Sequence, residues 1–282
     1  MVSEDDVSED PVAIDLNVDA ALVLRHLVGI DSYPPVLALL PNIYRIEDRD
    51  RVHAVVTDQL IEAGMIVDGR VHPTIEHWLR CLYRPDVELI ARIVDTGVDG
   101  GPKGMLRLSL VRSDETQVLA VRSDDHVVIQ SVPAGDHRLD TLTEALSAAL
   151  GPAPALDFAP LSAWAEDFDE VPAEPDERRR ALVELGAEPR TASLLSRVLS
   201  EVARRAEVVV TEHHDGAIPR PEVCMSVLDT LSGRIIVTPS VALDGRIRAT
   251  YAPGDDTALH AGVAALVDLL PGRSWFETSR VE

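Results

Sequence analysis

The spacing of apolar positions divides the chain into groups of helices and groups of strands. Apolar residues at helical spacing open the chain, and alternation with a period of two follows. A run rich in alternating Val, Ile and Leu that ends at turn residues is typical of a strand. The first group therefore predicts helices at 18–29, 46–63 and 72–83, strands at 87–94, 105–112, 116–122 and 126–132, and a helix at 137–150.

The same order of patterns returns in the second part of the chain. Two helical patterns are followed by four alternating runs and a final helical pattern. The runs are joined by short links such as SDET, SDD, TLS and LDG, which favour antiparallel neighbours. This group predicts helices at 178–186 and 191–205, strands at 206–214, 222–229, 233–239 and 246–252, and a helix at 256–270.

Two turn motifs indicate that the repetition is a duplication. Pro-Ala-Gly-Asp at 133–136 and Ala-Pro-Gly-Asp at 252–255 each precede a helix, and 119 residues separate Gly135 from Gly254. The same spacing separates Glu88 from Glu207, near the start of each first strand. We therefore predict an α+β fold: a quasi-twofold duplicated unit with a central antiparallel β-sheet flanked by helical bundles.

The composition of the segments between these patterns suggests how the chain is organised. The first residues are acidic, and residues 151–177 are rich in proline and acid yet contain aromatic and leucine side chains. The predicted division is a disordered acidic tail at 1–12, a first half-repeat at 13–150, a connecting segment packed on the core at 151–177, a second half-repeat at 178–276, and a C-terminal tail at 277–282.

Charge and cysteine content narrow the classes of function. The 282 residues carry a net charge of −22, which argues against binding to nucleic acid or to an anionic membrane surface. No apolar run reaches the roughly 18 residues of a membrane span, and no signal peptide pattern opens the chain, so we expect a cytoplasmic protein. The two cysteines, Cys81 and Cys224, lie in apolar surroundings and are expected to be buried and reduced.

The strongest candidate for chemistry is the run Glu212-His213-His214-Asp215-Gly216. These residue types bind divalent metals, which gives a metal-dependent hydrolase as one hypothesis. Adjacent residues of a strand point to opposite faces, however, so the two histidines do not readily share one ion. A turn after a strand explains the run more simply. No nucleophile motif is present and the glycines at 97–104 do not form a phosphate loop, so we expect no catalytic residue, no metal and no cofactor.

An ordered series of short motifs in the second half resembles a known family. The series is EHHDG, then CMSVLDTLSGRIIVTPSVALDGRIRATYAPGD, then LVDLLPGRSWF, and GIDSYPPVLAL in the first half matches more loosely. The chain thereby resembles the EspG family, cytosolic specificity chaperones of mycobacterial ESX (type VII) secretion. The likeness extends over about residues 18–276 and agrees with the duplicated fold.

The resemblance implies a function without a reaction. It implies binding to the tip of a PPE protein in a PE–PPE heterodimer, which keeps that apolar tip soluble and directs the pair to the secretion apparatus, whose components are further expected partners. An acidic adaptor for a basic protein stays open as another hypothesis. Strand alternation and strand ends give the expected contact residues, which are Asp86, Arg107, Ser109, Glu212, Ser226 and Leu228.

Overall fold

The computed structural model describes residues 10–41, 46–96, 101–133, 139–216, 221 and 223–280. Among these residues the α-helices are α1 (Val18–Val28), α2 (Ile46–Glu62), α3 (Pro73–Tyr83), α4 (Asp140–Leu150), α5 (Ala165–Asp169), α6 (Pro175–Glu184), α7 (Pro189–Val198) and α8 (Asp256–Asp268), and Pro35–Leu37 form a short 3₁₀ helix. The strands are β1 (Ala13–Asn17), β2 (Ile66–Val67), β3 (Arg70–Val71), β4 (Val87–Thr96), β5 (Pro102–Ser113), β6 (Thr116–Ser123), β7 (His126–Val132), β8 (Leu161–Trp164), β9 (Val202–Glu212), β10 (Met225–Thr230), β11 (Gly233–Val241) and β12 (Ile247–Pro253).

Ten of these strands form one antiparallel sheet in the order β1-β7-β6-β5-β4-β9-β10-β11-β12-β8. Outward from the contact between β4 and β9 the two halves follow the same pattern, β4-β5-β6-β7-β1 on one side and β9-β10-β11-β12-β8 on the other. At that contact Ile90 pairs with Val209, and 119 residues separate the two. The local axis of the duplication therefore passes beside this pair. The predicted α+β fold, with its quasi-twofold antiparallel sheet, is confirmed.

Helices cover the two faces of the sheet differently. On one face α4 and α8 pack together across the middle of the sheet, over a core that includes Leu89, Val208 and Leu266. On the other face the first half is covered by α1–α3 and the second half by α6 and α7, over two separate cores. The middle of this second face lies between the two helical layers.

Local sequence sets the ends of several elements. The Asn17 side chain accepts the backbone N–H of Ala20 at 2.7 Å and begins α1, and Gly29 ends it in the left-handed conformation at φ 71°. Asp255 caps α8 in the same manner through the N–H of Ala258. Helix α4, which follows the first copy of the turn motif, begins at Asp140 instead, with Leu139 at its N-cap and no capping side-chain hydrogen bond.

Some boundaries differ from the sequence prediction. The helix expected at 191–205 ends at Val198, and residues from Val202 onward form β9. Helix-forming residues in 199–205 yield to strand pairing, because β9 lies between β4 and β10. The short strands β1 and β8 at the two sheet edges, the β2–β3 hairpin and α5 were not predicted.

The division of the chain into five segments stays a prediction, and the structure adds contacts to it. In the connecting segment Leu156, Phe158 and Leu161 are buried against α6 and α7. In the N-terminal segment only 10–12 are described; there the carboxylate of Asp10 accepts the Thr74 hydroxyl at 2.8 Å. Within the described ranges, no helix combines the length and the apolar character that crossing a bilayer requires.

Candidate protein-binding face

Four strands form the uncovered middle of the second sheet face. Arg107 of β5 pairs with Arg92 of β4, Arg92 pairs with Glu207 of β9, and Glu207 pairs with Ser226 of β10. These residues therefore form one row across four strands, since directly paired residues point to the same face. Within the row Nη2 of Arg92 lies 2.6 Å from a carboxylate oxygen of Glu207, in an exposed ion pair.

Apolar side chains lie on both sides of this row. Ile90 and Val209, at the local axis, are half-buried, as are Val94 and Met105. Cys224 is exposed beside them, which corrects the expectation that both cysteines are buried. It directly precedes β10 and faces the part of the sheet that lies between the two helical layers. We call the surface formed by Ile90, Arg92, Val94, Met105, Arg107, Arg205, Glu207, Val209, Cys224 and Ser226 the open face.

The open face is less acidic than the chain as a whole. Three arginines, Arg92, Arg107 and Arg205, accompany one acid, Glu207, although the net charge of the protein is −22. An apolar middle with a charged surround is the arrangement found in specific protein interfaces. The positively charged surround of the open face therefore suits a partner surface that is apolar and also carries acidic residues.

Of the six expected contact residues, two lie on the open face and two lie beneath its borders. Arg107 and Ser226 are half-buried members of the row. Ser109 is fully buried and donates its hydroxyl proton to Glu88 at 2.6 Å. Leu228 is buried in the core below α6 and α7. The four share one sheet face, as predicted, but only Arg107 and Ser226 are accessible to a partner in the free chain.

Asp86 and Glu212 lie at one end of β4 and β9 and are buried. The Asp86 carboxylate accepts the backbone N–H of Asp114 and that of Arg280, each at 2.8 Å. The Glu212 carboxylate accepts the N–H of Gly272 at 2.6 Å. Both carboxylates thus hold the C-terminal segment against the sheet, and a role in partner contact stays a prediction for them.

Arg112 is the centre of this buried network. Its guanidinium donates to the carbonyl oxygens of Trp275 (2.6 Å), Asp114 (2.8 Å) and Thr278, and lies 3.4 Å from Asp86. Burial lowers the pKa of Arg112, and the nearby Asp86 acts in the opposite direction. Sequence reasoning missed this residue because its partners come from the far end of the chain.

The residues of the EHHDG run have separate partners. Nε2 of His213 lies 3.0 Å from Glu88, whereas His214 lies 3.4 Å from Glu212 on the opposite face. Asp215 pairs with Arg84 and Arg280, and the hydrogen bond from Arg280 lowers its pKa. No group of three or more metal-ligating side chains is arranged around an ion site in the described part of the chain. The structure gives the hydrolase hypothesis no support.

Cys81 is buried in α3, as expected. Burial raises the pKa of its thiol to about 11, and the charges of Asp114 and Asp86 add to the effect. Because the thiolate is the nucleophilic form, this cysteine is inert at neutral pH.

The open face could have been found from the sequence alternation of β4. Alternation places Ile90 and Arg92 on the same face as Glu88, and the strands that pair with β4 then complete the surface.

The geometry defines a class of protein: a duplicated α+β chain with an uncovered sheet face suited to binding another protein. The chain belongs to the EspG family, whose family model matches residues 17–265. It is 31% identical to the ESX-3 secretion-associated protein EspG3 of Mycolicibacterium smegmatis, over 94% of this chain and 90% of that protein. It is 27% identical to the ESX-1 secretion-associated protein EspG1 of Mycobacterium marinum, over 95% and 92%.

A solved structure has the same fold. It is that of the Mycobacterium tuberculosis type VII secretion system chaperone EspG5 in complex with a PE25–PPE41 dimer. The TM-score is 0.78 at 20% identity, over 95% of this chain and 100% of that chain. At this identity the likeness establishes the fold and leaves function to be argued from the family and from the open face.

Proposed function

We propose that this protein is a chaperone of type VII (ESX) secretion that binds a PE–PPE heterodimer. In this proposal the tip of the PPE protein docks on the open face and remains soluble until it reaches the secretion apparatus. Binding is the whole function, without a reaction or a cofactor. The site of action that follows is the cytoplasm, before export.

Membership of the EspG family is the observation that carries the proposal. The solved structure of EspG5, which has the same fold, was determined in complex with a PE25–PPE41 dimer. In this chain the open face adds a physical reason, because Ile90 and Val209 present apolar surface at the centre of a charged surround. An apolar tip that is exposed in solution promotes aggregation, and covering it removes that hazard.

Co-expression tests the proposal directly. We expect a PE–PPE pair from the source organism to be soluble only with this chain present, and to co-elute with it in size-exclusion chromatography. The variant Val209→Glu places a charge at the centre of the open face. It should weaken the complex by at least about tenfold, because an unpaired charge is then desolvated on binding.

Val128→Glu is the matched control. Val128 is an exposed valine of β7 in the same sheet, outside the open face, so this variant should bind as the wild type does. Thermal melts of both variants establish that they are folded. If Val209→Glu binds as tightly as Val128→Glu does, the open face is not the docking surface.

Salt dependence separates this proposal from an acidic adaptor. A complex held by an apolar centre changes little between low and physiological salt, whereas one held by exposed charges weakens steeply. A steep loss of affinity with salt, together with indifference to Val209→Glu, would favour the adaptor. A PE–PPE pair that is soluble alone and ignores this chain would refute the chaperone proposal.

A further inference from the structure

Three arginines lie side by side across the first half of the sheet. Arg92 of β4 pairs with Arg107 of β5, and Arg107 pairs with Arg122 of β6. The Cα atoms of directly paired residues are about 4.5–5.5 Å apart, and their side chains point to the same face. Like charges placed opposite each other in this way destabilise a sheet. The row therefore concentrates positive charge in a chain whose 48 aspartates and glutamates outnumber its 26 lysines and arginines.

The two outer arginines have partners within the chain. Arg92 forms the exposed ion pair with Glu207, in which the two charged atoms are 2.6 Å apart. The guanidinium of Arg122 donates to the carbonyl oxygens of Leu37 and Asp124, each at 2.8 Å. These contacts hold Arg92 towards β9 and Arg122 towards the first helical layer, on the two sides of Arg107.

The middle arginine, Arg107, lacks such contacts. It is half-buried, and it takes part in no hydrogen bond or ion pair with another of the described residues. Its charge nonetheless acts on its neighbour: burial lowers the pKa of Arg122, and the charge of Arg107 lowers it further. Asp125 and Asp124 act in the opposite direction. Arg107 thus presents a charged, planar fork of five N–H donors on the open face.

A partner that covers the open face removes Arg107 from water. A charge that is desolvated without a counter-charge opposes binding. The neighbouring side chains on the same face are already committed, because Met105 is apolar and the buried Ser109 donates its hydroxyl proton to Glu88. The acid of the open face, Glu207, is paired across the row. The anion that Arg107 then requires must come from the partner.

We propose that Arg107 binds the carboxylate of an aspartate or glutamate on the docked partner, and that this contact selects among partners whose tips are similarly apolar. A carboxylate matches the guanidinium fork through two parallel hydrogen bonds, and it also relieves the repulsion within the row. A tip with an apolar or basic side chain at this place leaves Arg107 buried and unpaired, and is rejected. The inference rests on the proposed function, since it names the chemistry that the partner brings to the open face.

Competition for the co-expressed complex tests the proposal. A PE–PPE pair bound to fluorescently labelled wild-type chain is mixed with unlabelled variants, and size-exclusion chromatography follows the displacement of the label. Half displacement by Arg107→Met should require at least about tenfold more protein than by unlabelled wild type, because the partner carboxylate loses its donor. Arg107→Lys keeps the charge but loses the fork, so it should fall between the two.

Arg248→Met is the matched control. Arg248 is a half-buried arginine of β12, and it pairs with Trp164 on the opposite face of the same sheet. This variant should therefore displace the label as the wild type does. Thermal melts should show Arg107→Met to be no less stable than wild type, because the variant removes one of three adjacent like charges.

Substitutions in the partner identify the other side of the contact. Each Asp and Glu of the PPE tip is replaced in turn by Asn or Gln. One replacement should weaken binding to wild type about as much as Arg107→Met does, and should have no further effect on binding to Arg107→Met, since the two groups form one contact.

The outcomes separate this inference from the proposed function. If the complex forms but Arg107→Met competes as well as Arg248→Met does, the inference is overturned and the chaperone proposal stands. The same holds if every acid of the tip has an effect that adds to that of Arg107→Met. Failure of the wild-type chain to form any complex with the pair refutes the proposed function, and this inference with it.

Discussion

Replacing Arg112 by alanine should destabilise the protein severely without touching the open face. The guanidinium is 6% exposed and donates to three backbone carbonyls of the C-terminal segment and the β5–β6 turn, beside the carboxylate of Asp86. Its removal leaves the buried Asp86 carboxylate without its ion-pair partner and leaves those carbonyl oxygens without their hydrogen-bond donor. Removing one partner of a buried ion pair costs about 3–5 kcal/mol.

That loss is a large fraction of the roughly 5–15 kcal/mol by which domains are stable. At 3 kcal/mol the melting temperature should fall by roughly 6–12 °C for a chain of this size. Urea denaturation followed by circular dichroism gives the free energy directly. The control is Arg107→Ala, five residues away on the same strand and half-exposed, which should change the free energy of unfolding by less than about 0.5 kcal/mol.

A result within about 0.5 kcal/mol of wild type for Arg112→Ala would refute the reasoning. It would mean that water or a neighbouring side chain replaces the guanidinium without loss. The double variant Arg112→Met with Asp86→Asn tests the same reasoning by removing both charges together. Because the asparagine oxygen still accepts a backbone N–H in place of the Asp86 carboxylate, this variant should recover part of the stability lost in Arg112→Ala.

Two further outcomes follow from the packing and the charges. Gly262→Ala should lower the free energy of unfolding by about 1–2 kcal/mol in urea denaturation, because the added methyl group overlaps the Met225 sulfur where α8 packs on the sheet. Gly104→Ala is the neutral control, since no atom lies near its added methyl group. Equal effects of the two variants would contradict this packing argument. Arg280 holds the pKa of Asp215 below its ordinary value, so the stabilising contribution of Asp215 is full above about pH 4 and disappears as the pH falls through the lowered folded value. The stability difference between wild type and Asp215→Asn, measured from pH 7 to pH 3, should therefore be constant at first and shrink at the acidic end, and a difference that grows there would contradict the sign.

Local chemistry made most of the sheet predictable. Strands β6 and β11 begin at residues 116 and 233, directly after their turns. The turns contain residues that tolerate positive φ, with Asp114 at φ 50° before β6 and Gly233 at φ 143° at the start of β11. The error at 191–205 has the opposite cause. Val202–Arg205 carry no strong local preference for a strand, and pairing with β4 and β10 on both sides decides their conformation.

The candidate site was predictable only in part, for a related reason. Period-two alternation placed Arg107, Ser109, Ser226 and Leu228 on one face, and strand register agrees. Which of them a partner can reach depends on packing from distant segments. Ser109 lies below the first helical layer and Leu228 below α6 and α7, and no spacing along a strand reports either contact.

Asp86 shows how far such contacts reach along the chain. Its position directly before β4 predicts a partner contact, yet its carboxylate accepts the N–H of Arg280, 194 residues away. Its neighbour in space, Glu212, is likewise occupied by Gly272. A carboxylate at a strand end is a rim residue or a buried anchor depending on where the C-terminal segment returns, and that return is fixed by Arg112 and Trp275.

The segments that follow α4 and α8 each reach an arginine in a hairpin of the other half, but the two arginines are paired differently. At the first hairpin the cation, Arg112, faces the neutral Gln117, so its charge is met by Asp86 and by carbonyls that the C-terminal segment brings. At the second hairpin the cation is Arg234 and faces Asp229, which pairs with it inside the hairpin. The segment at 151–156 therefore meets an arginine that is already paired, and its start adds only backbone acceptors, since Nη2 of Arg234 donates to the carbonyl oxygens of Leu150 (3.4 Å) and Gly151 (3.1 Å).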